Sequence, residues 1–222
     1  MIAKNFELDL LIAGNATTDT VFYPDKAPQI KFGGIYNLQE INFRPLKVEY
    51  QPFEFGSADI FIDRWDQDSP KQVVRVSLND GHRVPDWKPA KWTHIAYANA
   101  LRFYPFEKTG IVSVDLCAGK SFQSPYLKMA DYVFVSDDEF NPFDINTKAT
   151  IIAHSPTQVK VITSGNVIHD EKMSYINCIN PLGAGDVFAG RFIESKLNGN
   201  DDFFAIKYAI ELTQQWLVSR SD

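Results

Sequence analysis

Cysteine is scarce in this chain of 222 residues: there are two, Cys117 and Cys178. Two are too few for a disulfide framework or a four-cysteine zinc site. Long apolar runs are also missing, and none approaches the ~20 residues needed to cross a bilayer. The opening stretch MIAKNFELDLLIAG is interrupted by Glu7 and Asp9, unlike the layout of a secretory signal. Positive charge is short, with 22 Lys and Arg against 28 Asp and Glu, a net charge of −6. A nucleic-acid binder calls for a basic face to meet phosphates, so that class is set aside. Of the four histidines, no two stand at the i, i+4 spacing of a helical zinc pair. What is left is a globular protein, expected in the cytoplasm, with neither membrane nor nucleic acid as partner. At ~150 residues per domain as a guide, it reads as one unit over 1–222, able to bury a core without cross-links.

The chain changes texture along its length. Leu8 to Ala13 is an apolar run stopped by Gly14-Asn15, the pattern of a buried strand delivering a loop to a sheet edge. Residues 20–78 are rich in turns and aromatics, including Phe22, Tyr23, Phe32, Tyr36, Phe55 and Phe61, with Pro24, Pro28, Pro45, Pro52 and the pair Gly33-Gly34. That is a β-rich region with little helical periodicity. Within it Gln72 to Val76 reads as a strand, ended by the turn signal Asn79-Asp80-Gly81. Over 93–222 apolar pieces alternate with helix-compatible segments: Thr93 to Tyr97, Gly110 to Asp115, Tyr132 to Val135 and Val159 to Thr163. Such alternation predicts an α/β protein with a mainly parallel, doubly wound sheet covered on both faces. Two helices close the chain, one from near Gly183 to Asn198-Gly199 and one from Asp202 to about Leu217.

The segment that bears chemistry is Asn180-Pro181-Leu182-Gly183-Ala184-Gly185-Asp186. A Gly-Ala-Gly turn entering a helix leaves backbone N–H groups without intrahelical acceptors, and with the helix dipole they form a site for an anion. Asp186 falls in the first turn beside that site. A carboxylate there is repelled by a phosphate unless it has a task, such as deprotonating a hydroxyl that attacks phosphorus. Two other readings stand beside this one. The segment can be an ordinary glycine-rich helix start with a dipole-favoured Asp. A dinucleotide loop is the third, but Phe188 occupies its last glycine position and too little chain follows for a ribose-binding acid.

Residues 180–193 resemble the C-terminal signature of the ribokinase (PfkB) family of carbohydrate and nucleoside kinases, and other pieces follow in that family's order. Strand 8–13 with Gly14 and Asp19 resembles its opening strand and substrate-binding Asp. Gly33-Gly34 followed by Asn37 is similar to its substrate loop, and 20–78 to the small sheet that caps the sugar pocket. Ser136-Asp137-Asp138-Glu139 resembles the motif near metal and phosphates, though Ser136 stands where Asn is usual. Val161-Ile162-Thr163-Ser164-Gly165 is similar to the strand and loop lining the nucleotide. The resemblance implies a ribokinase-like fold with helices on both faces and a β-sheet lid. It implies an ATP- and Mg²⁺-dependent kinase, with Asp186 as general base and the N–H groups of Gly183, Ala184 and Gly185 stabilising the transferring phosphoryl group. Asp19, Gly33, Gly34 and Asn37 would bind the substrate, Thr163, Ser164 and Gly165 the nucleotide, and Glu139 would place the metal. The small sheet, with its exposed edges, further implies a homodimer through the lid. The alternative is a kinase-like module that binds a sugar or nucleoside without phosphorylating it.

Other residues have plainer readings. His94 lies in a strand and reads as a core histidine, while His82, His154 and His169 adjoin turn-like segments and read as solvated. Asp63, Asp66 and Asp68 lack the glycine and terminal Glu of a calcium loop and read as an acidic turn. Cys117 follows the Asp115 strand end and is open to two readings, a small buried apolar residue or one facing the cleft.

Overall fold

In the computed structural model, residues 6–23, 26–62, 72–116, 123–137, 141–178 and 181–220 are described. Cys117, Glu139, Asn180 and the acidic residues at 63, 66 and 68 lie outside them. One ten-stranded sheet organises the chain. Its strands are β1 (Leu8–Phe22), β2 (Gln29–Gly34), β3 (Val48–Ile62), β4 (Gln72–His82), β5 (Ala90–Ile95), β6 (Ile111–Leu116), β7 (Tyr132–Ser136), β8 (Thr150–His154), β9 (Gln158–Thr163) and β10 (Asn166–Lys172). Their order is β10-β9-β8-β7-β6-β5-β1-β3-β4, with β2 pairing β1 off that path. Strands β3, β1, β5, β6, β7 and β8 run parallel, and β2, β4, β9 and β10 join antiparallel.

Strands β1 and β3, each 15 residues long, serve two regions at once. Their first halves belong to the core, where Leu8 to Ala13 of β1 pairs with Ala90 to Ile95 of β5. Their second halves project beyond the ends of the core strands and, flanked by β2 and β4, form the lid sheet. Sequence reading expected β1 to stop at Gly14-Asn15; the strand instead passes through with a shift of register at that point. Glycine is needed there for space, since a Cβ on Gly14 would lie 2.7 Å from the Ala96 carbonyl oxygen. The expected turn at Asn79-Asp80-Gly81 is likewise absorbed into β4, which pairs across a bulge between Phe55 and Ser57.

Alternating residues of the core strands feed two apolar layers. Leu10, Ile12, Trp92, Phe134, Ile152 and Val161 pack against α1 (Ala184–Leu197) and α2 (Asp202–Val218). Ala13, Ile95, Val112, Val114, Val133 and Val135 face the other way, toward Tyr126, Leu127 and Ile145. That second face carries 3₁₀ helices Pro125–Lys128 and Pro142–Asp144, and both α-helices of the described residues lie on the first. Among the described residues, the helix-compatible crossovers expected after residue 93 are therefore turns, 3₁₀ helices and extended loops. Proline opens each 3₁₀ helix, and aromatic side chains do the covering that a helix face would otherwise do: Trp87 stacks on Phe106 at 4.5 Å and Tyr104 meets Phe53 edge-on at 5.6 Å. The two closing helices form as expected. Asp201 caps α2 by accepting the Phe204 N–H at 2.8 Å, and Gly199, at φ 89°, follows the end of α1.

Candidate active site

Helix α1 begins at the C-terminal edge of the parallel strands, under the lid. Gly183 is its N-cap, at φ 91° and ψ 3°, a left-handed conformation that glycine adopts without a Cβ penalty. No side chain caps the helix. The N–H of Ala184 donates to the Pro181 carbonyl at 2.9 Å, so one of the three expected anion donors is already engaged. Among the described residues no acceptor faces the N–H groups of Gly183 and Gly185. These two donors at the positive end of a 14-residue helix fit a phosphate.

Asp186, in the first turn, is 5% exposed. Asn37 Nδ2 donates to its Oδ2 at 2.9 Å, and the Tyr97 hydroxyl donates to both carboxylate oxygens, at 3.0 and 3.2 Å. Burial pushes the carboxyl up to about 6, against the opposing pull of Asn37, Tyr97 and Lys31. A carboxylate that titrates near neutrality while holding a fixed orientation is suited to accept a proton.

Asn37 reaches this point on the 3₁₀ helix Ile35–Glu40. Gly190 lets that helix lie directly on α1, since a Cβ there would stand 2.8 Å from a methyl of Leu38. Glu40 fastens its far end to α2, accepting from Trp216 Nε1 at 2.8 Å and pairing with Arg220 at 2.6 Å. Gly34, at φ 65°, starts the helix, and a side chain on it would collide with the Asn15 carbonyl.

The lid supplies a polar row. Asn15, Thr17 and Asp19 alternate along one face of β1, all buried, and the Thr17 hydroxyl donates to Asp19 Oδ1 at 2.5 Å. A side chain on Gly33 would run into the Asp19 carboxylate, so Gly33 lets β2 close over it. Lys31, directly across from Asp19 in the register, carries an ammonium whose pKa burial lowers, with Asp19 and Asp186 pulling the other way. Asn15 Oδ1 is buried with no hydrogen-bond partner, an acceptor open to a donor. The structure thus brings Asp19, Gly33, Gly34, Asn37, Gly183, Gly185 and Asp186 together. Sequence reading missed Asn15, Thr17, Lys31 and Tyr97. The period of two in Asn15, Thr17 and Asp19 was the available signal for the first pair. Tyr97 had none, because a tyrosine at φ 60° is a conformation no sequence pattern announces.

Two expectations are corrected. Thr163, Ser164 and Gly165 form the turn between β9 and β10, and β9 runs antiparallel to β8. Thr163 therefore sits beside Thr150, where β8 starts, with the two hydroxyls 3.5 Å apart. His154, at the end of β8, is ~13 Å further along the sheet, at four residues of ~3.3 Å each. The loop lies at the opposite edge from Asp186. His154 is not solvated either: its ring packs on Phe188 at 5.5 Å, and its Cε1 would be 3.1 Å from a Cβ on Gly185. Burial drops its pKa to about 4, so it is neutral at pH 7.

His94 is the core histidine that was expected. It is fully buried, bonded through Nδ1 to Ser113 at 2.9 Å, and pushed by burial down to about 3. Glu139 lies outside the described residues. Among those residues no group of three or more His, Cys, Asp or Glu is placed to hold a metal, and no helix is long and apolar enough to cross a membrane.

No family model matches the sequence, and no curated protein matches it either. Solved structures do. A ribokinase of Cryptococcus neoformans in complex with ADP is similar at a TM-score of 0.67 and 11% identity, over 98% of this chain and 95% of that one. A nucleoside kinase of Methanocaldococcus jannaschii follows at 0.63 and 16%, over 96% and 93%. A ribokinase of Thermotoga maritima gives 0.65 and 14%, over 97% and 93%.

Proposed function

We propose that this protein, whose ribokinase fold is shared over nearly the whole chain with sugar and nucleoside kinases, is a member of that family and transfers the γ-phosphoryl group of ATP to a hydroxyl of a sugar or nucleoside. The observation that carries this reading is Asp186: a buried carboxylate, clamped by Asn37 and Tyr97, in the first turn of a glycine-capped helix whose Gly183 and Gly185 N–H groups meet no acceptor among the described residues.

The substrate would lie between the lid row of Asn15, Thr17 and Asp19 and the base. Asp19 and Asn15 Oδ1 accept from its hydroxyls, and Asn37 and Lys31 are donors beside them. Asp186 accepts the proton of the attacking hydroxyl as its oxygen bonds to phosphorus, and the bond from phosphorus to the ADP oxygen breaks. The N–H groups of Gly183 and Gly185 stabilise the charge on the transferring group. Mg²⁺ would neutralise the phosphates; by the resemblance Glu139 helps place it, and a metal carried in by ATP asks little of the protein beyond that. Exposed Ile30 and Phe32 on β2 support pairing of two chains through the lid, and the proposed compartment is the cytoplasm.

The test is ADP release from Mg·ATP across a panel of sugars and nucleosides, with Asp186→Asn as control. Release that depends on the substrate and disappears in Asp186→Asn supports the kinase. The placement of Thr163 to Gly165 away from the site favours a second reading, a binding module without transfer. That reading predicts silence across the panel together with thermal stabilisation by a sugar or nucleoside alone.

A further inference from the structure

The mechanism above uses Asp186 as a base and leaves one close neighbour without a task. Tyr97 follows β5 at the C-terminal edge of the core, with φ at 60°. Bulky side chains avoid that region, and where one is held there the surroundings dictate it. What the conformation achieves is visible in the contacts. It turns the ring toward α1, so that the hydroxyl sits against both oxygens of Asp186, at 3.0 and 3.2 Å, and 3.5 Å from Asn37 Nδ2.

We propose that Tyr97 is a positioning residue, which fixes the Asp186 carboxylate by donating its hydroxyl proton to it and so keeps it an acceptor for the substrate hydroxyl. The role assigned to Asp186 comes from the kinase reading, on which this inference rests. The contacts themselves do not.

The groups facing Asp186 show why such a donor is needed. Among the described residues Asn37, from the 3₁₀ helix, is the one other direct donor. Lys31 on β2 attracts the carboxylate and Asp19 on β1 repels it. Burial first, then the negative charges of Asp186 and of Asp115 on β6, raise the Tyr97 pKa well above the ordinary value, so the phenol keeps its proton. His154, beside Gly185, is neutral and adds no charge. Desolvation thus works toward protonating Asp186, and the Tyr97 hydroxyl opposes it from the side that Asn37 leaves open.

The experiment reads the carboxylate directly. Protein labelled with ¹³C at aspartate carboxyls is titrated by NMR, with the Asp186 signal assigned by its loss in Asp186→Asn. Wild-type Asp186 is expected to titrate near 6. In Tyr97→Phe the midpoint should rise by about one pH unit, and the acid limb of the turnover profile should rise with it. Tyr97→Asn, which tolerates a left-handed backbone but cannot place a phenol, should show the same rise in a protein whose circular dichroism shows it folded. An unchanged midpoint in a folded variant overturns the proposal, and so does loss of the fold in both variants, which would make Tyr97 structural. If the wild-type protein transfers no phosphate yet its Asp186 midpoint depends on Tyr97, the kinase reading and the acceptor role fail, and the fixing of the carboxylate by Tyr97 stands.

Discussion

Two glycine-bearing turns in this chain look alike in sequence and end at opposite edges of the same sheet. Gly183 to Gly185 opens α1 and gathers Asn37, Tyr97, His154 and Asp186 around it. Ser164 and Gly165, at φ 52° and 74°, turn β9 into β10 and have no such company; a Cβ on Gly165 would meet nothing within 4 Å. Both are backbone arches of the kind that can receive phosphate. What separates them is strand direction. The first follows the C-terminal edge of the parallel strands, where loops from several strands converge, and the second follows a strand that runs back the other way. The composition of a loop states what it could bind, while topology decides what it can reach.

The sharpest way to test that contrast is at Asp186, the proposed base. Asp186→Asn should lower turnover about a hundred- to ten-thousand-fold, the range for losing a general base, measured by ADP release with unchanged circular dichroism. Gly33→Ala should come next. Its methyl displaces the Asp19 carboxylate, so KM for the sugar or nucleoside should rise by about ten-fold or more, with stability lowered by about 1–3 kcal/mol on denaturant titration.

A third measurement is stability against pH. Folding raises the Asp186 pKa from 3.8 to about 6, so the folded state binds that proton more tightly than the unfolded chain. The group's contribution is fully present below pH ~4 and is withdrawn as pH rises through about 6. Melting curves from pH 4 to 7 should show that loss in the wild type and not in Asp186→Asn, which should be the more stable protein at pH 7. The smallest effect belongs to the other turn. Gly165→Ala should cost about 1 kcal/mol for the left-handed backbone and leave ATP affinity unchanged. A large fall in affinity there would break the comparison.

Much of this was legible before the structure. The Gly-Ala-Gly-Asp start, its distance from Asn198-Gly199 and the apolar stripe gave α1 because helix signals are local. The resemblance groups Asp19, Gly33, Gly34 and Asn37 as substrate-binding residues, and the structure sets Gly33 against Asp19 and Asn37 against Asp186. The rest depended on information a single segment does not hold. Val159 to Thr163 reads as a strand in either direction, since an apolar run carries no sign of its orientation. Gly14 looked like a stop because its real task, admitting the Ala96 carbonyl, involves a residue 82 positions away. The crossovers looked helical because they lie between strand-like apolar pieces, and that alternation does not tell a helix from a covering layer of rings such as Trp87 and Phe106.

The uninterrupted passage of β1 and β3 from core to lid has a mechanical consequence. A lid attached by a flexible linker swings like a door, and its motion ends at the hinge. Here the overhang is a cantilever built into the wall: Asp19 stands on the same ribbon as Leu10 and Ile12, which are anchored beneath α1 and α2. A substrate pulling on Asp19 bends the beam and loads its root. Amide exchange at Leu10 to Ala13, in the deepest part of the protein, should therefore slow when a ligand occupies the tip.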